Sequence, residues 1–131
     1  MAGAVDLHSH TTASDGTLRP RELVRAAARR GVRVLAVTDH DSTEGLAEAL
    51  EEAAALRPLE IVPGIEITAV DNQRDIHVLG YFLDTDDEAL GLFLLAQRAA
   101  RIARVEAIGA RLAMLGVPIA VDTLVVETSA V

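Results

Sequence analysis

The sequence contains no cysteine, which excludes disulfides and any metal site built on thiolates. It contains no lysine: all 12 basic residues are arginine, so neither a Schiff-base lysine nor a phosphate-loop lysine can operate here. Tryptophan is absent and aromatic residues make up only 2% of the chain, so Ala, Leu, Val and Ile must build the core. No apolar run approaches the roughly 18 residues of a membrane span. Met1 lies so close to the first apolar run that no signal peptide is expected, and a cytoplasmic protein without membrane contact fits best. Positive charge is also short. The formal net charge is -8, which argues against a general electrostatic grip on nucleic acid. A nucleotide substrate remains compatible where bound cations supply the positive charge.

What is present is enough for one domain with a real core: 131 residues, half of them apolar. Ala4 to His8 reads as a short strand. Arg19 to Arg30 reads as a helix with Pro20 at its first position and Gly31 as its stop. Leu23, Val24, Ala27 and Ala28 form its apolar stripe. Arg19 is a poor N-cap, so Thr17 or water is expected to compensate. Val32 to Thr38 is a second strand whose continuous run Val34-Leu35-Ala36-Val37 suits a parallel strand covered on both faces. Ser42 or Thr43 can cap a second helix running to about Leu56, with Glu44, Glu48, Glu51 and Glu52 on a solvated face. Leu59 to Val62 is a third strand, ended by Pro63-Gly64. A polar turn at 71–75 precedes a fourth, Ile76 to Leu83. Asp84 or Thr85 then caps a long helical region reaching Leu115. Gly91 and Gly109 make a break in it plausible, and Leu90, Leu94, Gln97, Arg101, Arg104, Ile108 and Leu112 share one side. Asp122 can cap a short last helix. The alternation of strand and helix predicts an α/β fold.

The four histidines avoid the helical stretches. His8 and His10 lie two apart on a strand end, so their side chains share a face. The Ser14-Asp15-Gly16 turn can return the Asp15 carboxylate to that same end. His40 follows the second strand within Thr38-Asp39-His40-Asp41, Glu66 follows the third, and His77 lies on the fourth. In parallel sheets ligands gather beyond the carboxyl ends of strands, which unites these separate motifs into one candidate site. Imidazole and carboxylate at short range form a ligand set for a divalent transition metal, with Mn favoured and Zn or Fe also suited. A carboxylate between Ile65 and Ile67 is either solvent-facing or a ligand, and we read Glu66 as a ligand. Asp39 is expected to act beside His40, as a catalytic carboxylate or by orienting a neighbouring ligand. Asp41 is read as support for the helix start. Asp71, Asp75, Asp86, Asp87 and Glu88 are read as turn and cap residues, and Arg98, Arg101 and Arg104 as helix surface.

The segments DLHSHTTASDG, TDHD, PGIEIT and IHVLGY, in this order and spacing, resemble the polymerase-and-histidinol-phosphatase (PHP) family, and within it the stand-alone nucleotide phosphatase and exoribonuclease type. The resemblance implies a distorted seven-stranded (β/α) barrel holding up to three metals. It implies that His8 and His10 bind one metal with Glu66, that Asp15 and His40 bind a second, and that Glu66 bridges towards a third held by His77. The implied activity is metal-assisted hydrolysis of phosphate esters of a phosphorylated small molecule, a nucleotide or short RNA. The family completes its site with a further histidine and an Asp-x-His pair, yet no histidine follows His77. The chain is therefore expected to be the N-terminal part of such a domain. Residues 1–84 would carry the barrel units and 85–131 a mainly helical, possibly inserted, subdomain. Reduced metal affinity and self-association through an open sheet edge follow as expectations. Two other readings stand beside this one: a non-catalytic metal-binding or interaction remnant, and an amidohydrolase-type metal hydrolase, which shares the HxH pair but is disfavoured by the missing lysine.

Overall fold

The run Val34-Leu35-Ala36-Val37 forms the centre of the fold, and Leu35, Ala36 and Val37 are all but fully buried. A computed structural model of the chain describes residues 4–56, 58–72 and 74–123. In chain order the elements are β1 (Ala4–Asp6), α1 (Pro20–Arg29), β2 (Val32–Val37), α2 (Leu46–Ala55), β3 (Glu60–Asp71), β4 (Arg74–Tyr81) and α3 (Glu88–Met114). They fall into two compact units, Met1–Asp86 and Asp87–Val131.

The first unit is a four-stranded sheet in the order β1-β2-β3-β4. β1 and β2 are parallel, as are β2 and β3, with α1 and α2 as the intervening crossovers. Apolar side chains from α1 (Val24, Ala27) and α2 (Leu46, Ala49, Ala53) pack on Leu35, Val37, Leu59 and Ile61 to form the core. The stripe read from the sequence is the face that α1 buries. Gly31 adopts φ +80 and closes α1, its N–H donating to the Ala28 carbonyl at 3.0 Å. At the N-terminus of α1, Arg19 makes no side-chain cap bond, and the Glu22 carboxylate accepts from the Arg19 N–H at 3.0 Å, the reciprocal half of a capping box. Nor do Ser42 and Thr43 cap α2, whose N-cap is Gly45 without a side-chain bond. Two of the acids read as solvated are paired: Arg21 Nε donates to Glu48 at 2.6 Å and Arg25 Nε to Glu52 at 2.7 Å, joining the outer faces of α1 and α2.

The third strand departs most from the sequence reading. Pro63-Gly64 does not end it; β3 runs 12 residues. Parallel pairing with β2 stops at Pro63, opposite Val37, and antiparallel pairing with β4 begins at Gly64, opposite Tyr81. A proline cannot donate to a ladder, so it suits the residue where one partner is relinquished. A Cβ on Gly64 would lie 2.8 Å from Thr38 Cγ2 and 3.1 Å from the Gly80 carbonyl oxygen, so only glycine permits the approach. β4 starts and ends two residues earlier than expected, and β3 and β4 make a hairpin about Asn72, which takes φ 48.

The sheet is curled into a half-barrel. Three strand spacings in a flat sheet would separate β1 from β4 by about 14 Å. Instead Tyr81 Oη, at the end of β4, donates to the Leu7 carbonyl just past β1 at 2.8 Å. This agrees with the partial barrel expected from the family resemblance.

The second unit is dominated by α3. Its N-cap is Asp87, whose carboxylate accepts from the Leu90 N–H at 2.7 Å, three residues later than the first cap expected. The helix is unbroken through Gly91 and Gly109. At Gly109 a Cβ would lie 2.1 Å from Val121 Cγ2, so the glycine makes room for the returning chain. The less exposed stripe passes through Ile102, Val105 and Gly109, whereas Arg101 and Arg104 are exposed and Ile108 is 50% exposed. Leu115 ends the helix, and Gly116 at φ +80 follows with Val117 N–H bonded to the Leu112 carbonyl at 3.0 Å, the Schellman pattern. Beyond residue 123, the short last helix expected after Asp122 falls on residues outside the described ones, and no helix among the described residues is long and apolar enough to cross a membrane.

Candidate metal centre

Six of the seven residues singled out by sequence converge on one face of the half-barrel. Strand alternation explains why. In β3, Glu66 and Thr68 face one way while Ile65 and Ile67 face the other. Thr68 is paired with His77 on β4, so His77 shares the Glu66 face. His40 sits directly beside Glu66 through an isolated parallel bridge, with Glu66 N–H donating to the Asp39 carbonyl at 3.1 Å and Asp41 N–H to the Glu66 carbonyl at 2.9 Å. His8 and His10 lie beyond β1 proper, yet their alternation persists and both reach the same carboxylate.

Glu66 is the hub. It is 3% exposed, and its Oε2 accepts from His8 Nε2 at 2.7 Å and lies 3.1 Å from His10 Nε2 and 3.8 Å from His40 Nε2. Its Oε1 accepts from His77 Nδ1 at 2.5 Å. Burial pushes the Glu66 carboxyl up, but hydrogen bonds from His8 and His77 and the nearby His40 more than offset this, so it sits below the ordinary carboxylate range. Asp15 approaches from the other side, its Oδ1 3.3 Å from His10 Nδ1 and its Oδ2 3.7 Å from His40 Nε2. The four imidazoles form a continuous row with ring centroids 5.0, 4.7 and 4.9 Å apart.

These distances suit a divalent metal. Two donor atoms each about 2.1 Å from one ion lie about 3.0 to 3.4 Å apart at octahedral or tetrahedral angles. In three groups the donor atoms all lie within 4.8 Å of one another, so small side-chain shifts would bring them to that spacing: His8, His10 and Glu66; His10, Asp15 and His40; and His40, Glu66 and His77. The structure therefore adds His10 to the Asp15 group and His40 to the His77 group. His40 Nδ1 is buried with no hydrogen-bond partner among the described residues, an unsatisfied atom within a donor cluster.

Asp39 is placed differently from the other six. It is 1% exposed, and its side chain turns to the loop that carries Asp15. Its Oδ1 accepts from Thr11 N–H at 2.6 Å and Ser14 Oγ at 2.7 Å, and its Oδ2 accepts from Thr11 Oγ1 at 2.8 Å. Both oxygens are engaged by neutral donors of the loop that carries Asp15.

The PHP domain profile matches residues 6–108. The chain belongs to the PHP family. A 5'-3' exoribonuclease of Haemophilus influenzae is 42% identical over 122 residues, 93% of this chain and 44% of that protein. A 3',5'-nucleoside bisphosphate phosphatase of Chromobacterium violaceum is 39% identical over 113 residues, 86% of this chain and 39% of that protein. A solved Bifidobacterium adolescentis protein, provisionally named a metal-dependent phosphoesterase, superposes with a TM-score of 0.83 at 36% identity, covering 98% of this chain and 44% of that one. The PHP chain thus spans less than half the length of the relatives it matches.

Sequence reasoning missed Thr11, Ser14 and Gly45. Thr11 is fully buried, and a Cβ on Gly45 would lie 3.0 Å from Thr11 Oγ1 and 3.1 Å from Asp39 Oδ2. The available signal was chemical. A buried Asp39 needs donors, and the hydroxyl-rich Thr11-Thr12-Ala13-Ser14 of the first motif is one supply of them.

Proposed function

We infer that this PHP chain contributes to a metal-dependent phosphoesterase acting on phosphate esters of nucleotides or short RNA. The observation that carries the reading is the buried Glu66 carboxylate, with three imidazoles from two chain segments within 2.7 to 3.8 Å of one oxygen and a fourth, from another strand, on the other. Such a donor set, anionic at its centre and rich in imidazole, suits Mn, Zn or Fe better than Mg or Ca, and Mn is our choice. His8, His10, Asp15, His40, Glu66 and His77 would hold the ions. When bound, divalent ions lower the pKa of water and neutralise charge on phosphoryl oxygens.

The chain's own residues have the remaining work. Glu66 gathers the imidazoles and supplies the negative charge at their centre. Asp15 and His77, 67% and 46% exposed at their side chains, stand at the open rim where a phosphate would arrive. With a net charge of -8, the protein itself would repel a phosphate, so recognition depends on loading of the site. In this reading residues 1–84 form the barrel portion and 85–131 a helical subdomain inserted into it.

The test is elemental analysis of the purified chain after incubation with Mn and desalting, followed by phosphate release from a nucleoside 3',5'-bisphosphate and from short 5'-phosphorylated RNA, with and without chelator. Two metals per chain and chelator-sensitive release are expected. Metal content below one per chain, unchanged by His40→Ala, would refute the reading. A second outcome has its own support, because the chain covers only 39% to 44% of these relatives. Metal binding without turnover would place hydrolysis in a longer form of the protein.

A further inference from the structure

Asp15 is the most exposed of the six donors, and its side chain lies beside His10, His40 and Ser14. With 67% of its side chain exposed, its location depends chiefly on the backbone of the loop from Thr11 to Gly16. That loop is wound about a single buried carboxylate. Asp39 accepts from the Thr11 N–H, the Thr11 hydroxyl and the Ser14 hydroxyl, all within 2.6 to 2.8 Å. Thr11 then organises the turn itself. Its Oγ1 accepts from Ala13 N–H at 3.0 Å, and its carbonyl accepts from Ser14 N–H at 3.1 Å and Gly16 N–H at 2.8 Å. Gly16 crosses the His10–Thr11 peptide so closely that a Cβ would lie 2.4 Å from the His10 carbonyl oxygen. Gly45 closes the other side against Thr11 and Asp39.

The Asp39 backbone meanwhile belongs to the opposite wall of the centre. Its carbonyl accepts from Glu66 N–H, and its successor is His40. One residue therefore ties the Asp15 loop by its side chain to the His40 and Glu66 segments by its main chain.

We propose that Asp39 is a positioning residue that, through Thr11 and Ser14, sets Asp15 against His10 and His40 and thereby controls metal binding by that group of three. The proposal rests on the metal reading above but goes beyond it, because it assigns no ligand role to Asp39. It makes the effect selective: loss of Asp39 weakens the Asp15 group and spares His8, His10 and Glu66.

The experiment is Mn titration of the 131-residue chain by calorimetry, with the visible spectrum of bound Co as a report on coordination, for wild type, Asp39→Ala, Asp15→Ala and the double variant. Partners one step removed from a metal ordinarily change affinity by about 10- to 100-fold, and that loss is expected at one class of site in Asp39→Ala. The double variant should bind no more weakly than Asp15→Ala alone, because both changes act through one group. Asp39→Asn keeps an oxygen for Thr11 N–H and Ser14 Oγ and should recover most of the affinity and the wild-type Co spectrum. Should Asp39→Ala fail to fold, Ser14→Ala and Asp39→Asn carry the same comparison. Additive losses in the double variant, or equal weakening of every site, would overturn the proposal. A wild-type chain that binds no Mn would instead overturn the metal reading, so the two failures are distinct.

Discussion

Replacing Glu66 by glutamine removes one negative charge from the centre of the half-barrel with almost no change of shape. Glu66 belongs to two of the three donor groups, so the variant leaves only His10, Asp15 and His40 with an intact set. Removal of partners beyond the ligands already lowers metal affinity about 10- to 100-fold, so loss of an anionic ligand should exceed 100-fold at each affected group. A ligand at 100 times its Kd stabilises the folded state by about 2.7 kcal/mol. For a unit the size of Met1–Asp86, each kcal/mol moves the melting temperature by roughly 4 to 8 °C. Saturating Mn should therefore raise the melting temperature of the wild-type chain by on the order of 10 °C. Glu66→Gln should lose most of that rise and retain one metal or fewer. The metal-free variant should still fold, since a glutamine amide can donate to His8 or His77. Calorimetric melting with and without Mn, together with elemental analysis, decides the matter. A variant with the wild-type metal content and the wild-type shift would refute Glu66 as the hub.

Other consequences follow from the same geometry. Leu35 is 1% exposed in the core, so Leu35→Ala should cost about 2 to 5 kcal/mol, read from urea midpoints at unchanged slope. Because the folded Glu66 carboxyl is held below the ordinary value of 4.5, its stabilising contribution is present above pH 4.5 and lost as pH falls through the folded value. Urea midpoints of the metal-free protein at pH 5 and pH 3 should differ, and Glu66→Gln should narrow that difference; an equal difference in both proteins would show that other groups govern it. β4 pairs on one side only among the described residues, and its Ile76 and Val78 are 43% and 52% exposed. Self-association through that edge should appear as a concentration-dependent mass in light scattering and fall in Ile76→Lys; a monomer at every concentration would exclude it.

Much of the fold was local information. A continuous apolar run at 34–37, a 3.6-residue stripe in α1, and glycines at 31 and 116 each determine their element from nearest neighbours along the chain. The convergence of these six residues was legible for a similar reason. HxH alternation and a Ser-Asp-Gly turn are short-range geometry, and scarce histidines confined to strand-like segments have few other places to converge.

What the sequence could not decide depended on residues far apart in the chain. Pro63-Gly64 carries every mark of a strand end, and only the arrival of β4 turns it into the point where β3 changes partners, with Gly64 pressed between Thr38 and Gly80. The stripe of α3 drifted because a choice between Arg101 and Ile102 rests on what covers the helix rather than on spacing. Asp39 stands beside a ligand in sequence, yet its side chain turns to Thr11 and Ser14, 28 and 25 residues away. Residue type and spacing thus determined which groups could bind a metal. Which of them lie close enough together to share an ion, and which carboxylate instead holds the loop in place, was decided by sheet register and curl. Those depend on long-range pairing that no local pattern encodes.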